Sequence, residues 1–323
     1  MKNKVSTVTD EYRHIPVLLA ECREALALKP GEVFCDCTLG GAGHALVMAQ
    51  DLKPNGTLIG IDQDEQALDT ASERIRDTHP DLDFIPLRGN FASLDDLLVD
   101  AAVPGIDGFL FDLGVSSFQL DVPQRGFSYA REAPLDMRMD PGKQSTTAAE
   151  VINTLNEADL TWIIRTYGEE RWASRIARFI VIARERQPLT TTTQLSELIK
   201  SAIPASARRE GGNPAKRTFQ ALRVAVNSEL DALKSGLEAA LRWLNPAGRI
   251  AVISYHSLED RLVKAAFVKG AQGCVCPPEA PVCVCGQKPI LSIVTKKPLL
   301  ASEAEQKNNP RSSSAKLRVA IKR

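Results

Sequence analysis

No stretch of the 323-residue chain approaches the roughly 18 consecutive apolar residues of a membrane span. The amino-terminal MKNKVSTVTDEYRHIPV lacks an apolar core, so no secretory signal is expected there. Net charge is absent too, because 40 Lys and Arg balance 40 Asp and Glu. That balance hides an uneven distribution: the seventeen residues from Lys307 onward hold six basic side chains and no acidic one. No internal repeat is apparent. The seven cysteines are an odd number in a chain too long for a disulfide scaffold, so a reducing, cytoplasmic setting is expected. These absences exclude secreted, membrane, collagen-like and wholly disordered readings. What is present is an ordinary globular composition, 44% hydrophobic and 25% charged. The length suggests about two domains and suffices for a full core without metal or disulfide staples.

Residues 16–28 carry apolar side chains at helical spacing, stopped by Pro30-Gly31. Four short apolar runs follow, at Val33–Cys35, Thr57–Ile61, Phe84–Leu87 and Gly108–Phe111. The first, second and fourth end in an acid: Asp36, Asp62 and Asp112. Helical patterns separate them at Ala45–Leu52, Glu65–Asp77 and Leu94–Val99. Strands and helices in alternation predict an α/β domain with a parallel sheet. The alternation then stops. Helical stretches are predicted at Ala148–Leu155, Ala158–Ala183 and Thr193–Ile203, then one long helix over Thr218–Leu244. It returns with Arg249–Ser254 as a fifth strand, a helix at Glu259–Val268, and strands at Pro289–Val294 and Leu317–Ile321. The economical reading is one α/β core, residues 1–117 and 215–323, carrying a helical insertion at 118–214 for substrate recognition. Residues 301–315, rich in Ser and Asn, read as a loop.

The turn after the first strand, Thr38-Leu39-Gly40-Gly41-Ala42-Gly43-His44, opens a helix and suits a ligand at its N-terminus. Asp62 lies nineteen residues beyond Gly43, where an acid can hold ribose hydroxyls. A dinucleotide fingerprint would need a third glycine, and the chain reads G-A-G-H-A-L from Gly41. Asp36 before the loop and Asn90-Phe91 after the third strand fit S-adenosylmethionine better. In that geometry Asp36 faces the methionine amine, Asp62 the ribose and Phe91 the adenine. The [DN]PP[YF] tetrapeptide of many amino-methyltransferases is missing after the fourth strand, which reads Asp112-Leu113-Gly114-Val115-Ser116-Ser117. No cysteine lies near Asp112 or Ser254, which argues against C5-cytosine chemistry.

These residues, with His14–Leu19, Arg125–Ser128, Pro134–Met139, Tyr167–Arg171, Arg217–Arg223, Val226–Leu230 and Ser254–Arg261, run nearly the full length of the chain. Together they resemble the bacterial 16S ribosomal RNA (cytosine-N4) methyltransferase H family, also called MraW. The resemblance implies a class I, Rossmann-like fold with a helical insertion. It further implies S-adenosylmethionine as cofactor and N4 methylation of a cytidine in the decoding centre (P site) of 16S rRNA within the small ribosomal subunit. Carried over by position, its cofactor contacts fall on Ala42, Gly43, His44, Asp62, Phe91, Asp112 and Gln119, with Asp36 and Gly40 added from the loop. The family has Gly-Gly-His where this chain has Ala42-Gly43-His44. If that first glycine needs positive φ, Ala42 is strained, and a local adjustment is expected because Gly40 and Gly41 lie just upstream.

Cytosine N4 has a delocalised lone pair, so its attack needs alignment and acceptors for the amino hydrogens. The candidates are Asp112, Ser116, Ser117, Asn227 and His256. Asn227 is placed at the edge of an apolar helix stripe, where its amide would meet the base. Ser116 and Ser117 equally suit a helix cap, and His256 a packing role. Six arginines at 165, 171, 175, 178, 184 and 186, then Arg208, Arg209, Lys216, Arg217 and Arg223, supply charge for phosphates. Cys274, Cys276, Cys283 and Cys285 form C-x-C-x6-C-x-C, which suits a structural zinc, no metal, or redox-dependent disulfides. Cys22, Cys35 and Cys37 read as core residues. No membrane and no DNA partner is expected, and monomer and homodimer both stay open. So do methylation of another amine, on DNA or protein, and a non-catalytic assembly factor that binds cofactor and RNA.

Overall fold

The computed structural model describes residues 16–115, 122–208, 212–276, 282 and 284–323. Strands β1 (Val33–Asp36), β2 (Thr57–Asp62), β3 (Asp83–Arg88), β4 (Ile106–Asp112) and β5 (Leu244–Ser254) pair in parallel, in the order β3-β2-β1-β4-β5. The last long strand, β8 (Lys316–Lys322), returns antiparallel between β5 and β6 (Leu291–Ile293), and the short β7 (Leu299–Leu300) pairs with its start. The parallel α/β sheet is the one expected from the alternation, and its strand order is the Rossmann-like one that the resemblance implies.

The strands are apolar on both faces because helices cover both. Side chains alternate across the sheet. Phe34, Leu58, Leu110 and Ala251 pack with helices α1 (Leu19–Leu26), α2 (Gly43–Leu52) and α3 (Glu65–Thr78). Their neighbours Cys35, Ile59, Phe109, Phe111 and Val252 pack on the opposite face. There they meet α4 (Leu94–Asp100), Leu233 and Leu237, and Val263 and Phe267. Cys22, Cys35 and Cys37 are buried in these layers, as their apolar neighbours suggested, and burial pushes the Cys22 and Cys37 thiols up.

A third hydrophobic cluster is helical. It gathers α5 (Ala148–Thr154), α6 (Glu157–Gly168), α7 (Ala173–Arg184) and α8 (Thr192–Ala202). A single turn, α9 (Ala205–Arg208), follows. The cluster also takes in Phe219, Ala221 and Leu222 of α10 (Lys216–Asn227), so the helical core runs on past residue 214. Two helices predicted as continuous are broken. Glu169 (φ 49°) separates α6 from α7, and Ser228 (φ 49°) separates α10 from α11 (Glu229–Trp243). Both breaks use non-glycine residues in the left-handed region, which carry no composition signal. Helix α12 (Ser257–Ala271) follows β5. Residues 301–315, expected as a loop, hold α13 (Glu303–Asn308) and a 3₁₀ turn at Pro310–Ser314. Ser302 caps that helix, and Glu305 accepts the Leu18 N–H at 2.8 Å, which ties the segment to α1. Among the described residues no helix is long and apolar enough to cross a membrane.

Candidate active site at the carboxyl edge of the sheet

Strand order reverses between β1 and β4, and ligands of doubly wound sheets bind in the crevice at the carboxyl ends there. Asp36, Asp62 and Asp112 are the last residues of β1, β2 and β4. The strands, in register, therefore set three carboxylates along one edge.

The carboxylates of Asp36 and Asp62 are held by backbone N–H groups. The Thr38 N–H donates to Asp36 Oδ1 at 3.0 Å, and the Asp112 N–H donates to Thr38 Oγ1 at 2.7 Å, so one threonine joins the ends of β1 and β4. Asp62 accepts from Gly40 N–H at Oδ2 and from Asp64 N–H at Oδ1, both at 2.8 Å. The acid at the end of β2 thus shapes the glycine loop after β1. Asp36 is only 1% exposed. Burial pushes both Asp36 and Asp62 up to about 6, against the pull of their backbone N–H donors. A buried acid raised in this way favours a cation or hydroxyl donor that would restore its ionised form.

Asp112 accepts the Tyr255 hydroxyl at Oδ1, at 2.7 Å, and its Oδ2 lies 3.6 Å from His44 Nδ1. The other ring nitrogen of His44 is 2.9 Å from the Val17 carbonyl. Burial, and then Asp112, raise the Tyr255 phenol far above its usual range, so it stays a donor. The loop itself needs glycine where chain meets chain: a Cβ at Gly43 would lie 2.6 Å from Pro16 Cγ. Ala42 takes φ 62° as the residue capping α2. The left-handed geometry is therefore retained by alanine, not relieved upstream, at about 1 kcal/mol or more relative to glycine. Gly40 also has positive φ, at 48°. Phe91 turns inward, edge-on to Phe111 at 5.6 Å and against Gly236, and its ring remains half-buried.

Two expected acceptor contacts are placed differently. The Asn227 amide, 8% exposed, accepts from Met139 N–H at 2.8 Å and Gln144 Nε2 at 3.0 Å. It donates to the Met137 and Arg223 carbonyls, both at 2.8 Å. With both ends spent, it clamps the 137–144 loop to α10 and has no capacity left for a base. Asn227→Ala is therefore expected to lower stability by about 1–3 kcal/mol through unpaired buried groups, while methyl transfer per folded molecule is retained. Thermal melts and single-turnover rates on one preparation check it. His256 caps α12. Its Nδ1 accepts from Glu259 N–H at 3.4 Å, its Nε2 lies 3.1 Å from Glu259 Oε1, and Glu259 Oε2 accepts from His256 N–H in return. A packing role thus prevails over the catalytic one. The adjacent Glu229 is bound in a bidentate pair with Arg223 at 2.8 and 2.9 Å, which also removes Arg223 from the phosphate-binding group. Ser116, Ser117, Gln119, Arg209 and Cys283 lie outside the described residues.

The sequence reading missed how the loop following β4 docks on the site. Arg125 donates to Asp64 Oδ2 at 2.7 Å and to the Met139 carbonyl at 2.9 Å, while Gln63 Nε2 meets Met139 Sδ at 3.1 Å. The residues just after Asp62 therefore anchor the Arg125–Met139 segment. At the far side Glu169, at the tip of α6, accepts from Ser257 Oγ and from Arg261 at 2.7 Å. Those two partners, more than anything local, hold its carboxyl below the usual range. The helical cluster is thus pinned to the α/β core on both flanks of the crevice. No pattern in sequence signals pairs 61 and 88 residues apart.

Of the candidate arginines, Arg165, Arg171, Arg175, Arg178 and Arg186 are exposed, whereas Arg184 is half-buried and donates to the Ile152 carbonyl at 2.6 Å. Arg171 precedes α7 and lies over Trp172 at 5.4 Å, so it does not share a helical face with Arg175 and Arg178.

The family model of the MraW methylase family matches residues 11–323. Ribosomal RNA small subunit methyltransferase H of Symbiobacterium thermophilum is 55% identical over 312 residues, covering 96% of this chain and 97% of the relative. The proteins of the same name from Heliobacterium mobile and Geobacter sulfurreducens are each 52% identical, over 97% and 96% of this chain and 99% of each relative. With a family match over nearly its whole length and relatives above half identity, the chain belongs to the MraW methylase family.

Proposed function

We propose that this protein transfers a methyl group from S-adenosylmethionine to the exocyclic N4 of a cytidine in the decoding centre of 16S rRNA, acting on the small ribosomal subunit. Family membership supports the reaction class. The observation that carries the cofactor reading is the carboxylate pair at the ends of β1 and β2, Asp36 buried and Asp62 half-buried, set about the glycine loop that Asp62 holds through Gly40 N–H, with both acids raised to about 6. Asp36 suits the cationic amine of the methionine part, and Asp62 suits two ribose hydroxyls. Gly40, Ala42 and Gly43 bring backbone close to the ligand, and His44, tied to the Val17 carbonyl, stands at the start of α2 beside Asp112. Phe91, half-buried against Phe111, supplies an apolar wall for adenine.

When bound, the sulfonium supplies an electrophilic methyl group. Asp112 accepts a hydrogen bond from the cytosine amine, directs the nitrogen lone pair at that methyl, and lies where the departing N4 proton can be taken up. Tyr255 holds its Oδ1 in place. The base must leave its stack to reach this edge. The exposed arginines Arg171, Arg175 and Arg178 on the helical cluster suit the flanking phosphates.

Cofactor binding should depend on pH. Asp36 must be ionised to pair with an amine, and in the free protein it is half-protonated near pH 6. Pairing with a cation lowers that value. Affinity for S-adenosylmethionine is thus expected to rise between about pH 5 and 7, with protons released on binding near pH 6. Calorimetry in buffers of different ionisation heat measures the release; none at pH 6 contradicts the assignment of Asp36. The reaction itself is tested by offering radiolabelled cofactor with small ribosomal particles, naked 16S RNA or duplex DNA. Label in the particles' RNA alone supports the reading, and label only in DNA or protein overturns it.

A further inference from the structure

Between α12 and β6 the chain leaves the sheet and returns, and the ends of the excursion are joined by Ile290 N–H donating to the Gly270 carbonyl at 2.8 Å. Among the described residues from 272 to 290 none is buried, and Val284 is 87% exposed. Those described residues build no apolar core of their own. What converges inside it is sulfur. Cys274, Cys276 and Cys285 place their thiol sulfurs within 4.8 Å of one another. The Cys274 and Cys285 sulfurs are 3.6 Å apart. Two thiolates on one tetrahedral zinc, with bonds of about 2.3 Å, lie about 3.8 Å apart. A disulfide would bring them to about 2.0 Å.

Backbone amides are aimed at the same sulfurs. Val275 N–H donates to Cys285 Sγ and Val284 N–H to Cys276 Sγ, each at 3.4 Å. The arrangement is reciprocal: the central residue of each C-x-C donates to the last cysteine of the other. N–H donors favour thiolate over thiol, which is the form a metal takes. The contrast is the pair Cys35 and Cys37, whose sulfurs are 3.8 Å apart but sealed in the sheet core.

We propose that Cys274, Cys276 and Cys285 bind a structural zinc ion as three thiolates, stapling the excursion that leads into the edge strand β6. Each thiol gives its proton to solvent as its sulfur takes a corner of the tetrahedron. The ion is remote in role from methyl transfer, which needs no Lewis acid, so it is tested apart from activity. The full chain, purified under reducing conditions without chelator and dialysed against metal-free buffer, is expected to retain one zinc per chain by elemental mass spectrometry. Cys274→Ser and Cys285→Ser should each fall to the blank level, and calorimetric titration with S-adenosylmethionine verifies that the variants are folded. Independently, cobalt(II) added to the metal-stripped wild-type chain should give the intense visible bands of tetrahedral cobalt–thiolate, displaced by one equivalent of zinc. A wild-type chain that neither retains zinc nor shows those bands overturns the proposal. So does zinc retained in full by both serine variants, or a Cys274–Cys285 disulfide in the freshly prepared reduced protein.

Discussion

Asp112→Asn is expected to slow methyl transfer to small-subunit RNA by about 100-fold or more, with cofactor affinity changed only a few-fold. The asparagine carbonyl can still accept the Tyr255 hydroxyl, now made at 2.7 Å to Oδ1. Its NH₂ then replaces Oδ2, and a donor faces the amino hydrogens of the base where an acceptor stood. Alignment fails and the departing proton loses its acceptor. Rapid-quench single turnovers with saturating cofactor read the rate, and calorimetry reads cofactor binding on the same protein. A variant that transfers methyl within a few-fold of wild type removes Asp112 from the chemistry. One that loses cofactor affinity instead assigns it to the cofactor alone.

Asp62→Ala should reduce S-adenosylmethionine affinity by one to two orders of magnitude, about 1.5–3 kcal/mol for losing hydrogen bonds to a charged acceptor. The effect has two sources. The ribose hydroxyls lose their acceptor, and the Gly40 and Asp64 amides, both held at 2.8 Å, lose theirs. Asp62→Asn, which retains one backbone acceptor, should fall between alanine and wild type. Calorimetry decides the order, and unchanged affinity in the alanine variant would take Asp62 out of the cofactor site.

The acids at the strand ends were legible because parallel strands buried on both faces leave short apolar runs, and the first acid in the sequence marks where each run ends. The glycine loop was legible for the same local reason. Asn227 was not. Helical spacing placed it at the rim of an apolar stripe, but the Met137–Gln144 loop that consumes its amide arrives from about ninety residues upstream. Arg125 is similar: its partner Asp64 lies in another βα unit, and only the docked loop brings them together. The helices around Glu169 and Ser228 read as continuous because both residues tolerate helix and neither is glycine; at the first break Gly168 packs on the Arg217 backbone and the Arg217 side chain donates to the Glu169 carbonyl at 2.8 Å, a contact from 48 residues away. The same packing bears on dissection of the molecule. Phe219 and Leu222 belong to the helical core, so removing 121–212 would strip their partners and expose both.

The most direct measurement compares 16S rRNA from cells carrying the wild-type protein with that from cells carrying Asp112→Asn as the only copy. Nuclease fragments are mapped by mass spectrometry for a methyl group on cytosine N4. The expected result is a single decoding-centre cytidine that carries the N4-methyl group in wild-type cells and loses it in the variant, with other modifications unchanged. An N4-methyl group present at the same level in both would contradict the account.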